Sequence, residues 1–384
     1  MGTVLNIISW IFSVLFLLLA FLVFGMGGRI QFFLVLGITV ILFPPFRVFV
    51  SNTIGLSIPW WGYVLVSIFL WCGIVLSFVL NPAKSIYKSP EYRNKLIKIY
   101  EAKLAKWPVP YESVYIDTKY GKIHVIVSGP IDGEPIVLVN ASALSGWSWI
   151  HNVKSLNEKY RTFAIDNIGE GGKNEMKAPG LIPKTGQEIA DFYTEITTKL
   201  GITKAYVIGA SIGGYISTNY AMYTPERVKK LVLLGSMGYG FTLKTVLTMT
   251  LAQGFPIKPV QDATFRWAFG DAPQVGECFG EWFRLYMKGL VPTPIAPSTF
   301  TPEQLSQVKV PTLAFFGTED GVIGDAQKAR LLAQNIPDIK IEIVASGHVI
   351  GAELPEEVNS KIIAFFQEDT SETKRLDDNI KFEE

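Results

Sequence analysis

A chain of 384 residues, 49% of them hydrophobic, with a formal net charge of +1, is long enough for more than one unit. The near-zero charge argues against nucleic-acid binding, because a phosphate-tracking surface needs a concentrated basic face. Cys72 and Cys278 lie far apart and predict two free thiols rather than a disulfide framework. With three histidines and no metal-spaced His/Cys cluster, Walker loop or dinucleotide fingerprint, the sequence implies neither a metal nor a cofactor.

Residues 1–80 contain only two charged side chains, Arg29 and Arg47. Three apolar stretches, 4–24, 30–50 and 60–80, each approach the ~20 residues that a helix needs to cross a bilayer. They predict a transmembrane anchor of about three helices over 1–80. The basic segment 81–110 carries Lys84, Lys88, Arg93, Lys95, Lys98, Lys103 and Lys106 against Glu91 and Glu101. Cations flanking a span stay on the cytoplasmic side, so an integral membrane protein with a cytoplasmic C-terminal domain is expected. The same cations make membrane lipid an expected partner; a solvated linker helix is the plainer reading of that segment.

From residue 111 the pattern alternates. Strands are predicted at 113–118 and 122–129, paired across the turn at Tyr120-Gly121, then at 135–141 and 160–166. A helix follows near 187–200, with Ile189, Phe192, Ile196 and Leu200 at spacings of three and four. An apolar strand at 205–211 leads into a helix running to about Tyr223, and further strands are predicted at 230–236, 311–317 and 340–346. Strands alternating with helices predict a mainly parallel sheet covered on both faces, a domain spanning 111–368. Residues 237–307 break the alternation with a helical, aromatic-rich insertion, expected to be a cap. The charged tail, 369–384, reads as solvated.

The strand at 205–211 ends in Gly209-Ala210-Ser211-Ile212-Gly213, the G-x-S-x-G pattern of a nucleophile elbow. A serine hydroxyl needs a base to attack a carbonyl, and the base needs a carboxylate to orient it. His348 follows the last predicted strand and Asp320 the one before, so the chain order is Ser, Asp, His. Glu319 and Asp325 are neighbouring candidates for the acid. His124, within a strand, and His151, after the third strand, read as structural.

On these residues the segment from about 110 to 368 resembles the α/β-hydrolase family. Residues 225–236 are similar to the helix end and strand that follow the elbow, and 300–320 to the approach to the acid. DNIGEGGK (166–173) resembles the D-x-x-G-x-G-x-S loop, with Lys173 in place of the serine. The resemblance implies an α/β-hydrolase fold in which Ser211 attacks an acyl carbonyl, His348 shuttles the proton and Asp320 holds the imidazolium. It also implies an oxyanion site of backbone N–H groups, from Ile212 and, on the loop after the third strand, Ser142. That loop reads Asn140-Ala141 where the family usually carries His-Gly.

The expected function is therefore a membrane-anchored serine hydrolase that cleaves a carboxylic ester or thioester, lipid-like in view of the apolar cap, through an acyl-enzyme. Serine at the elbow argues against halide or epoxide chemistry, which places an aspartate there; C–C bond hydrolysis and perhydrolysis use the same triad and stay open. The reading from another class is a catalytically silent fold acting as a membrane scaffold or ligand-binding protein. The sequence does not fix the oligomeric state.

Overall fold

The structure is a computed structural model describing residues 85–240, 243–254, 257–270, 272–291 and 294–368, with short stretches before them at 10–11, 13–15, 35–40, 43, 59, 62 and 65–70. The integral-membrane localisation expected above is overturned: among the described residues no helix is long and apolar enough to cross a membrane. Most of 4–24, 30–50 and 60–80 lies outside the described residues, as does the tail 369–384.

The chain divides into two compact units. One comprises the described residues within Met1–Lys95, Leu243–Thr264 and Arg284–Pro292, the other those within Leu96–Thr242, Phe265–Phe283 and Thr293–Glu384. In the first, residues 86–88 run antiparallel to 289–291: the Lys88 N–H donates to Gly289 O at 2.9 Å and the Val291 N–H to Ile86 O at 2.8 Å. Arg284 pairs with Asp262 at 3.1 Å.

The described helices of eight residues or more are α1 (Pro90–Leu104), α2 (Gly186–Lys199), α3 (Ile212–Tyr223), α4 (Leu243–Gly254), α5 (Lys258–Phe269), α6 (Pro273–Gly289), α7 (Ala326–Ala333) and α8 (Pro355–Gln367). Helix α1 starts on proline, carries Glu91 in its first turn and Lys103 in its last, and buries Leu96, Tyr100 and Leu104 at a four-residue spacing. Helix α2 buries Ile189, Phe192 and Ile196, and Thr185 caps it by accepting the Glu188 N–H at 3.2 Å. Helices α4 to α6 fall within the 237–307 insertion.

The strands of the second unit are β1 (Tyr111–Asp117), β2 (Gly121–Ser128), β3 (Glu134–Val139), β4 (Tyr160–Ile165), β5 (Glu175–Met176), β6 (Ala205–Ala210), β7 (Val228–Leu234), β8 (Thr312–Gly317) and β9 (Ile339–Val344). They form one sheet in the order β1-β2-β4-β3-β6-β7-β8-β9, with the two-residue β5 on β2. The pairs β1·β2, β2·β4 and β2·β5 are antiparallel and the rest parallel. The central parallel strands are the wholly apolar runs: Ile136–Val139, Leu231–Leu234 and Leu313–Phe316 are at most 3% exposed. Helices cover both faces of such a sheet, and each fully buried aliphatic side chain contributes about 1.5–3 kcal/mol. Edge strand β1 instead alternates exposed residues with half-buried Val114 and Ile116.

Strand order reverses at β3, whose neighbours are β4 on one side and β6 on the other. The carboxyl ends of β3 and β6 therefore open the crevice where parallel α/β sheets place ligands. At that point β6 turns sharply into α3, and the packing there explains the glycines. A Cβ on Gly213 would run into the carbonyl oxygen of Val139, and one on Gly209 into the Gly213 carbonyl. Between them Ser211 has φ 54° and ψ −119°, one of two non-glycine residues with positive φ among those described.

A buried polar cluster fixes the neighbouring end of β4. Tyr100 from α1 donates to Asp166 Oδ1 at 2.9 Å, and the Gly146 N–H donates to the same oxygen at 2.7 Å. The Lys173 N–H donates to Oδ2 at 3.1 Å, and His124 Nδ1 lies 3.3 Å from it. The Lys173 side chain pairs with Glu101 on α1. His124 is thus committed to this cluster.

Gly213→Ala is expected to destabilise the protein by about 3 kcal/mol or more, because β3 backbone must shift. Gly276→Ala, in α6 with nothing within 4 Å of the added Cβ, should stabilise it by roughly 0.5–1 kcal/mol. Asp166→Ala orphans two N–H groups and a hydroxyl and should cost about 3 kcal/mol or more, whereas Tyr100→Phe should cost about 1 kcal/mol. Urea unfolding followed by tryptophan fluorescence checks all four.

Candidate active site

Ser211, Asp320 and His348, far apart in sequence, meet above the carboxyl ends of β6, β8 and β9. His348 Nε2 lies 2.8 Å from Ser211 Oγ, and His348 Nδ1 lies 2.8 Å from Asp320 Oδ2. All three are buried, at 3%, 4% and 5% exposure for Ser211, Asp320 and His348. A carboxylate only accepts, so in the neutral imidazole Nδ1 carries the proton and Nε2 is left to accept from the serine hydroxyl.

Each group is held from behind. The Ser211 N–H donates to Leu234 O at 2.9 Å, and the Ser211 carbonyl accepts from Met237 at 3.0 Å. Asp320 Oδ1 accepts the N–H groups of Val322 and Ile323, both at 2.9 Å, which leaves Oδ2 to face the imidazole. The other candidates for the acid are occupied differently. Glu319 is exposed, and Asp325 caps α7 by accepting from Gln327 and Lys328 at 2.9 and 3.2 Å. Glu353 brackets the histidine: one carboxylate oxygen accepts the Gly347 N–H at 2.8 Å, the other the Val349 N–H at 3.2 Å.

The loop after β3 lies alongside. Ile212 is the first residue of α3, so its N–H has no partner within the helix. Neither it nor the Ser142 N–H makes a hydrogen bond among the described residues. The Ala143 N–H, by contrast, donates to Glu170 Oε2 at 3.0 Å. Asn140 supplies the scaffolding that the His-Gly pattern lacks here. Its side-chain amide donates to the carbonyls of Ala141 and Leu144 at 3.0 and 3.1 Å, and its backbone carbonyl accepts from Asn167 Nδ2 at 2.7 Å.

A partly open pocket borders His348, lined by Leu144, Trp149, Phe279 and Ile350 with Ser148 and Asn152. Phe279, from the first half of α6, also packs against Trp147 at 5.5 Å between ring centroids. Among the described residues no group of His, Cys, Asp or Glu could hold a metal ion. The sequence reading missed Glu170, Trp282, Asn167 and Glu353. Glu170 and Asn167 stood in the loop 166–173 and Trp282 in the aromatic-rich insertion 237–307, but nothing in their spacing marks them as partners of the loop after β3.

A family described as alpha/beta hydrolase fold matches residues 134–276. A Bacillus subtilis protein described as an uncharacterized carboxylesterase, nap, is 31% identical over 304 residues, covering 76% of this chain and 98% of that protein. The carboxylesterase YbfK of the same organism is 26% identical over 284 residues, covering 71% of this chain and 93% of that protein. Among solved structures, the naproxen esterase of B. subtilis superposes with a TM-score of 0.67 at 29% identity, covering 73% of this chain and 99% of that one. Sheet order, the turn at Ser211 and a relative of this identity and coverage agree: the chain is a hydrolase and belongs to the α/β-hydrolase family.

Proposed function

We propose that this protein cleaves carboxylic esters through an acyl-enzyme on Ser211, with His348 as general base and acid and Asp320 orienting the imidazole. The observation that carries the reading is the pair of 2.8 Å contacts joining Ser211, His348 and Asp320 at a strained strand-to-helix turn. Ser211 Oγ attacks the carbonyl carbon while its proton passes to Nε2. The tetrahedral oxyanion is met by the backbone N–H groups of Ile212 and Ser142. Collapse breaks the bond to the alcohol oxygen, which leaves with the proton from Nε2. Water, deprotonated by the same nitrogen, then adds to the acyl carbon, and collapse breaks the bond to Ser211 Oγ, which takes the proton back from Nε2 as the acid leaves.

The carboxylesterase names of the relatives support an ester substrate, and thioesters are open to the same attack. The apolar lining beside His348 suits an apolar acyl or aromatic group, held mainly by burial and oriented by few polar atoms. A silent scaffold gives no account of a buried imidazole held between a serine hydroxyl and a carboxylate.

Hydrolysis of p-nitrophenyl esters from acetate to octanoate tests the reading. Ser211→Ala and His348→Ala should each lower kcat by about 10⁴-fold or more. Asp320→Asn should lower it by about 10³–10⁴-fold, whereas Asp325→Asn, which disturbs only a helix cap, should leave it within about threefold. Phe279→Ala should favour the longer acyl chains. Wild-type turnover in Ser211→Ala would refute the assignment.

A further inference from the structure

We propose that Glu170 is a positioning residue for the oxyanion loop: it holds the peptide between Ser142 and Ala143 and thereby aims the Ser142 N–H at the developing oxyanion. The inference rests on the reading of Ser211 as a nucleophile and names a part of the machinery that the reading did not assign.

Ala143 is the second non-glycine residue with positive φ among those described, at 59°. An alanine stays in the left-handed region only where its surroundings over-determine it. Here both flanking peptide groups are pinned. The Ala143 N–H donates to Glu170 Oε2 at 3.0 Å, and its carbonyl accepts from Trp282 Nε1 at 2.9 Å. Ser142 Oγ donates to the same Oε2 at 3.1 Å. Glu170 is 2% exposed, and Trp282 is fully buried.

The peptide one step earlier, which carries the Ser142 N–H, is held at its carbonyl. The Ala141 carbonyl accepts from Asn140 Nδ2 at 3.0 Å and from the Leu144 N–H at 3.3 Å. In a planar trans peptide the N–H points opposite the carbonyl, so the Ser142 N–H is turned away from the loop's own bonds. Glu170 engages the neighbouring Ala143 N–H, which leaves Ser142 as the donor.

The segment 166–173 clamps the loop at three successive places: Asn167 on the Asn140 carbonyl, Glu170 on Ser142 and Ala143, and Asp166 on the Gly146 N–H. A loop without the His-Gly sequence is thus shaped by side chains from outside it. The role of Glu170 is geometric. Its Oε2 accepts from Ser142 Oγ and from the Ala143 N–H, which a glutamine carbonyl could also do, so the neutral amide should serve.

The test is the rate of phosphonylation by a fluorophosphonate, together with kcat and KM for p-nitrophenyl butyrate, on the full chain. Phosphonylation also places negative charge in the oxyanion site but needs no acyl pocket. Glu170→Ala should lower both the phosphonylation rate and kcat by about 10–100-fold with KM within about twofold, the signature of a displaced donor. Glu170→Gln should recover them to wild-type values. Glu170→Asp, whose shorter side chain retracts the oxygen, should be slow. If the alanine variant does not fold, the Gln and Asp variants decide between geometry and charge. An alanine variant reacting at the wild-type rate, or a slow Gln beside a fast Asp, would overturn the proposal. A well-folded wild type that neither labels nor turns over would instead overturn the reading of Ser211.

Discussion

The close approach of β3 to the first turn of α3 is the constraint on which the site depends. The Val139 carbonyl occupies the space where a side chain at position 213 would stand, and the Gly213 carbonyl occupies the corresponding space at 209. Only with glycine at both positions can the chain turn within one residue from a buried strand into a helix. Ser211, the residue at the turn, is left in a backbone conformation that L side chains rarely adopt. The strain is held by bonds on both sides of the serine, to Leu234 and from Met237. Its consequence is that the hydroxyl stands at the end of the sheet, with the free N–H groups of a helix start beside it.

Everything else in the site is arranged around that hydroxyl by loops at the same edge of the sheet. Asp320 comes from the loop after β8, His348 from the loop after β9, and the loop that carries Ser142 from the end of β3. Parallel strands deliver all three to one edge because their carboxyl ends point the same way. Each loop is then locked by bonds that do not involve substrate: backbone N–H groups on Asp320 Oδ1, Glu353 on both sides of His348, and Asn140, Glu170 and Trp282 on the loop after β3. Preorganised donors and bases of this kind need little rearrangement at the moment of reaction.

Much of this was legible in the sequence. The central strands are short, unbroken apolar runs, which only burial on both faces explains, and they lie where the runs predict. The elbow was legible because its glycines answer a local steric demand. The order Ser, Asp, His was legible because each residue follows a strand. Other features were not. Strand β5 has two residues and no apolar pattern. Helix α1 is dominated to the eye by its lysines, although Leu96, Tyr100 and Leu104 carry the periodicity of a buried face. Asp320 could not be separated from Glu319 and Asp325 without seeing which carboxylate faces the imidazole. Glu170 and Trp282 meet Ala143 across 27 and 139 residues of chain, a pairing that no local rule contains. The apolar composition of residues 1–80 led to a membrane location that the described helices do not support.

The most direct measurement is intact-protein and peptide mass spectrometry after reaction with a fluorophosphonate. The expected result is a single adduct on the peptide containing Ser211, absent after prior denaturation and absent from the Ser211→Ala protein. An adduct on any other serine, or an unmodified peptide from a folded and fully soluble sample, would contradict the assignment of Ser211 as the activated nucleophile.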